Sequence, residues 1–133
     1  MIYVLDASAI LAYIQGEPGG ADVDAMLTTP GNTCYAHVLN LCEVYYNYVR
    51  NHGKLVAKTM ISDLKSDGVV FRRDHSLAFW QSVGDLKARG GISLPDCFCV
   101  ILAQTLGAEA VTADRAEFTP LIPLGICPIY FIR

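Results

Sequence analysis

The chain has 133 residues, enough for one domain spanning 1–133 with a substantial core and too few for two. Apolar residues make up 53% and charged residues 17%, which excludes a disordered chain, and no apolar run reaches the roughly 20 residues that cross a bilayer. The net charge of −3 gives no basic footprint for nucleic acid, and five cysteines, an odd number set mostly among apolar neighbours, speak against a disulfide framework and for a reducing cytoplasm.

Ile2 to Leu5 is a short apolar run closed by Asp6 and reads as a buried strand, with no basic segment ahead of it to suggest a secretory signal. Ala7 to Ile14 is predicted helical and stops at the turn signal Gly16-Glu-Pro-Gly-Gly20. Asp22 to Leu27 is a short second helix, ended by Pro30-Gly31. An extended piece near Thr33 to Tyr35 leads into a helix from Val38 to Arg50, with Gly53 as its stop. From Lys54 to Lys65, Val56, Met60 and Leu64 recur at helical spacing with the lysines off that stripe, the pattern of an amphipathic helix. Val69 to Phe71 is a short strand. Ser76 to Arg89 carries Phe79, Trp80, Val83 and Leu86 at helical spacing. Pro95 suits the first turn of the next helix, which runs to Leu106, is apolar nearly all round and should be central. Ala110 to Thr112 is the next strand, and Pro128 to Ile132 a last edge strand. Strands alternating with helices imply a three-layer α/β/α sandwich around a mainly parallel sheet.

Four acids stand out because they adjoin apolar stretches: Asp6, Glu43, Asp96 and Asp114, out of 13 acidic residues in all. Acids in such company are seldom buried unless paired or bound to metal, and four gathered together would make an all-oxygen site for Mg²⁺ or Mn²⁺. Each also has an ordinary reading. Asp6 and Asp114 can cap the helix or turn that follows, Asp96 can complement a helix dipole, and Glu43 can be a half-exposed helix residue. Their joint placement favours the shared site. Asp6 and Asp114 both fall at the C-terminal ends of predicted parallel strands, where open α/β sheets hold ligands. Asn40, Glu43 and Asn47 share one polar face of an otherwise apolar helix, and Ser8 and Thr112 offer supporting hydroxyls. With four acids held by cations, the net −3 becomes +1 for the remaining surface, so the acidic balance does not exclude RNA or DNA.

Val4-Leu-Asp-Ala-Ser-Ala-Ile-Leu-Ala-Tyr13 followed by Gly16-Glu-Pro-Gly19 resembles the start of a PIN-domain ribonuclease, most closely the VapC-type toxins of toxin–antitoxin pairs. Leu41-Cys-Glu-Val44, Leu94-Pro-Asp96 and Thr112-Ala-Asp-Arg115 with Phe118 recur in the family's order, so the resemblance covers nearly the whole chain. It implies a PIN-like fold, a Mg²⁺- or Mn²⁺-dependent endoribonuclease, a homodimer and a small antitoxin partner. It assigns metal-site roles to Asp6, Glu43, Asp96 and Asp114, supported by Ser8 and Thr112. One departure is that Phe118 stands four residues after Asp114, where three is commoner in the family, so Ala116 looks inserted and the direction of Glu117 is left open.

On this reading Asp6, Glu43 and Asp96 hold the principal ion and Asp114 ligates it directly or through water, with no protein nucleophile. Arg50, seven residues beyond Glu43, and Arg115, next to Asp114, are placed to contact phosphates, though each is as readily a solvated surface arginine. The three histidines and the Cys97-Phe-Cys99 pair lack metal-binding spacing. The chief competitor is a catalytically silent metal- or RNA-binding regulatory module, against which the intact set of acids argues. A phosphotransfer domain with an aspartyl nucleophile would want a second Asp at position 8, which is Ser8.

Overall fold

The computed structural model describes residues 1–133. Five short strands, β1 (Ile2–Leu5), β2 (Thr33–His37), β3 (Val69–Arg72), β4 (Glu109–Thr112) and β5 (Ile129–Phe131), form one sheet in the order β3-β2-β1-β4-β5. All four pairings are parallel, with Tyr3 beside Cys34, Val4 beside Ala110, Cys34 beside Val69 and Ala110 beside Ile129. Parallel neighbours need long crossovers, so helices cover both faces of the sheet. Side-chain alternation along each strand divides the core in two. Leu5 and Val111 pack on one side with Ile10, Val23, Val44, Met60 and Leu64, whereas Val4 and Ala110 pack on the other with Phe79, Val83, Val100, Leu102 and Phe118. The expected three-layer α/β/α sandwich is therefore the one observed.

The helices of the first layer are α1 (Ala7–Gln15), α2 (Gly20–Thr28), α3 (Val38–His52) and α4 (Lys54–Ser66); the second layer holds α5 (Leu77–Ala88) and α6 (Leu94–Leu106). Helix α6 buries Asp96, Cys97, Cys99 and Val100 to Ala103, which explains its nearly uniform apolar sequence. Helix α2 begins two residues before Asp22 because the Gly19-Gly20 pair does more than turn the chain. Gly19 lies at φ +92°, and a Cβ on Gly20 would stand 2.4 Å from the Ala12 carbonyl oxygen, so only glycine lets α2 dock this closely on α1. A four-residue helix, α7 (Arg115–Phe118), and a 3₁₀ segment, Thr119–Leu124, follow β4; no sequence period announced either.

The chain builds the sheet outward from β1 to β2 and β3, then returns to add β4 on the other side of β1. The crevice above the β1–β4 boundary is thus the topological switch point, the place where an open parallel sheet receives ligands.

Candidate metal centre

Leu5 lies beside Val111, so the residues that follow them, Asp6 and Thr112, face each other above the sheet. The Asp6 backbone N–H continues the ladder by donating to the Val111 carbonyl at 3.1 Å. Asp6 caps α1: its Oδ1 accepts from the Ala9 N–H at 2.8 Å and from the Ser8 hydroxyl at 2.7 Å. Its Oδ2 accepts from the Thr112 hydroxyl at 2.5 Å. Ser8 Oγ in turn accepts from the Ala113 N–H at 2.8 Å, and Thr112 Oγ1 from the Asp114 N–H at 2.9 Å. The two hydroxyls read from sequence as supporting groups therefore pin the loop after β4 onto the loop after β1. Burial pushes the Asp6 carboxyl up to about 6, against the opposing pull of those three hydrogen bonds, and the Glu43 charge raises it further.

The first turn of α6 brings Asp96 to the same level. Ser93 caps that helix by accepting from the Asp96 N–H at 3.3 Å, a Ser-x-x-Asp pattern that the sequence carries openly. Asp114 caps α7 through Oδ1, which accepts from the Glu117 N–H at 3.0 Å, and this short helix turns Glu117 inward. Oxygens of Asp96, Asp114 and Glu117 then lie within 4.8 Å of one another. Glu117 Oε2 also accepts from the Ser93 N–H at 3.3 Å. Asp96 and Glu117 behave as one pair. Burial, the hydrogen bond to Glu117 and the charges of Asp6 and Glu117 raise the Asp96 carboxyl, whereas that same hydrogen bond holds Glu117 low. Asp96 is thus the member of the pair that favours its protonated form.

Glu43, half-buried on α3, also faces this cluster: burial and then the Glu117 charge raise its carboxyl, and its own charge bears on Asp6. Capping and ligation are compatible in these residues, because a cap uses one lone pair of one oxygen and leaves the rest of the carboxylate free. Asp6 and Glu43 are not part of the tight triad; the Asp6 carboxylate is bonded to Thr112 and Ser8. Glu117, whose direction the sequence left open, is the acid that completes it.

Asn40, one turn before Glu43, is fully buried, and its Nδ2 donates to the Pro95 carbonyl at 3.1 Å while its Oδ1 has no partner. An acceptor left this way costs about 1–3 kcal/mol. Asn47, on the same helical face, is engaged instead by Asn51 at 3.0 and 3.2 Å. The two arginines named from the sequence each lie over an aromatic ring. Arg50 is exposed with its guanidinium 5.0 Å over the Tyr46 ring. Arg115 lies 4.6 Å over the Phe131 ring and gives its Nε–H to the Arg133 carbonyl at 2.8 Å, anchoring β5. Lys87 is a cation that the sequence reading passed over: it donates to the Ile92 carbonyl at 2.8 Å, bracing the loop before Ser93, and its charge helps hold Glu117 low. His37 is buried with both ring nitrogens engaged, by the Leu39 N–H and the Asp74 carbonyl, so it offers nothing to a metal.

The largest cavity, about 660 Å³, lies in the layer of α1, α3 and α4. Tyr13, Tyr48, Leu55, Val56 and Met60 line it, with Asp63 and Asp67 among the polar residues. No helix is long and apolar enough to cross a membrane.

The sequence matches the PIN domain family over residues 3–119. No curated protein sequence matches it. Among solved structures, a chain of VapBC2 from Rickettsia felis, bound to a DNA fragment from its promoter, is similar with a TM-score of 0.74 at 16% identity, covering 98% of both chains. A toxin–antitoxin complex from Klebsiella pneumoniae gives 0.70 at 15% identity, again over 98% of each chain. VapC20 from Mycobacterium tuberculosis, a toxin that cleaves the sarcin–ricin loop, gives 0.69 at 16% identity over 90% of this chain and 95% of that one. At these identities the likeness is one of fold.

Proposed function

Since the chain belongs to the PIN domain family, we propose that it is a metal-dependent endoribonuclease that hydrolyses RNA phosphodiester bonds, acting as the toxin of a type II toxin–antitoxin pair. The observation that carries this reading is the convergence of five carboxylates on the switch-point crevice, three of them within 4.8 Å. Burial first, and the neighbouring carboxylates after it, raise the Asp6, Glu43 and Asp96 carboxyls. An all-oxygen set of this kind fits Mg²⁺ or Mn²⁺ and suits neither zinc nor copper.

Asp96, Asp114 and Glu117 are the nearest donors to such an ion, with Asp6 and Glu43 completing the set. When bound, a divalent cation supplies a water acidic enough to attack a phosphodiester at neutral pH and offsets the charge that builds in the transition state. The chain's own contribution is to preorganise that site. Ser8, Thr112 and the Ala9 N–H fix the Asp6 carboxylate before substrate arrives. Ser93 and Lys87 set the height of Asp96 and Glu117. Asp96 would have to be deprotonated to hold the ion. Arg50, and the terminal nitrogens of Arg115 left free by the Arg133 contact, are the cations nearest in sequence for the RNA backbone.

The similar structures support the biological setting: one is a toxin that cleaves the sarcin–ricin loop and another a toxin–antitoxin complex. For an antitoxin, the apolar cavity of about 660 Å³ offers a seat for an amphipathic segment, and Asp63 and Asp67 favour basic residues on it. Leu77 and Trp80, exposed one turn apart on α5, suit a contact between two copies of the chain. The test is cleavage of a mixed cellular RNA pool by purified, antitoxin-free protein with Mg²⁺ or Mn²⁺ and with EDTA. Discrete fragments that require metal and disappear in Asp6→Asn/Asp96→Asn are expected. A folded protein that leaves the pool intact would point instead to a silent binding module.

A further inference from the structure

Asn40 is an uneconomical residue for a core position, because only one half of its amide finds a partner. The Pro95 carbonyl can only accept, so the amide NH₂ must face it and the carbonyl oxygen must point elsewhere, where the protein supplies no donor. A leucine would occupy much the same volume without stranding an acceptor. The neighbours of this side chain are specific: Glu43 follows it by one turn on α3, and Asp96 directly follows Pro95 on α6. The bond between Asn40 and Pro95 therefore ties the helix carrying one acid to the first turn of the helix carrying another.

We propose that Asn40 is a positioning residue of the metal centre: its amide, held by the Pro95 carbonyl, fixes the spacing of Glu43 and Asp96 on which metal binding depends. This rests on the metal-site reading above. Groups that hold metal ligands in place are worth about 10- to 100-fold in metal affinity.

Manganese binding by calorimetry, paired with unfolding of the metal-free protein, tests the assignment in wild type, Asn40→Leu and Asn40→Ala. The expected result is Mn²⁺ affinity lowered about 10- to 100-fold in Asn40→Leu, while the metal-free variant is at least as stable as wild type. Asn40→Ala, which only removes atoms, carries the same affinity comparison if leucine does not fold. Either folded variant binding Mn²⁺ as tightly as wild type would overturn the proposal, whatever happens to stability. Wild type that fails to bind Mn²⁺ at all would instead bring down the metal-site reading on which the proposal stands.

Discussion

The buried Asp6 carboxylate should make the metal-free protein more stable in mild acid, and the size of the effect follows from the structure. Its carboxyl is raised from 3.8 to about 6, so the native state binds more protons than the unfolded chain at any pH between those values. Stability contributed by this group therefore rises as pH falls through 6, and is lost again as pH climbs back through it. Between pH 7.5 and pH 5 the gain from Asp6 alone is about 1.4 kcal/mol, since one pKa unit corresponds to 1.36 kcal/mol. Other groups titrate in the same range, so the comparison must be with Asp6→Asn, which removes this titration and keeps the fold. The asparagine oxygen can still accept from Ala9 and Ser8, and its NH₂ can donate to the Thr112 oxygen, whose proton is then free to turn toward Ser8 Oγ, 3.3 Å away. Urea unfolding in EDTA at the two pH values gives the four free energies required. Wild type should gain about 1.4 kcal/mol more than Asp6→Asn on acidification. Equal pH dependence in the two proteins would show that burial does not destabilise this charge, and the electrostatic argument for a cation would lose its main support.

Burial and Glu117 favour the protonated form of Asp96, and a metal ligand must be deprotonated, so Mn²⁺ binding near pH 7 should release about one proton. Calorimetry in buffers of different ionisation enthalpy reads that number directly, and Asp96→Asn should release none if it binds at all. On the cleft of α1, α3 and α4, Val56 is exposed, so Val56→Glu should leave folding and RNA cleavage unchanged. It should weaken the antitoxin complex by at least tenfold in a pull-down or titration; an unaltered complex would move the docking surface elsewhere.

Much of the fold was legible because it rests on local patterns. Apolar strand runs, helical stripes and glycine stops depend on residues close in sequence, and every predicted strand and helix is present. What escaped notice lacks a period: α7 has four residues, and the 3₁₀ segment after it carries Pro120 and Pro123. The four acids stood out by their apolar company, and the structure brings them to one crevice. Glu117 did not, because its direction depends on how α7 turns after Ala116, a matter of one residue's rotation that spacing cannot supply. Arg115 was noticed for its adjacency to Asp114, but its contacts with Phe131 and Arg133, far along the chain, could not be read from spacing. Asn40 was noticed for its helical face, but its stranded oxygen became apparent only once α6 was packed against α3.

The hydrogen bond from Thr112 to Asp6 joins residues 106 apart, and the one from the Ala113 N–H to Ser8 joins residues 105 apart. Contacts of such separation are slow to form, because a long loop must close before anything rewards its closure. β1 can pair with β2 early, yet the acids do not meet until β4 has inserted on the other side of β1. A partly folded chain therefore has a sheet but no cluster of carboxylates. Once formed, a cation held between the two loops would act as a removable clasp across the whole domain, stabilising the folded chain because the unfolded one has no site to bind it. Insertion of β4 and completion of the acidic cluster are then one event.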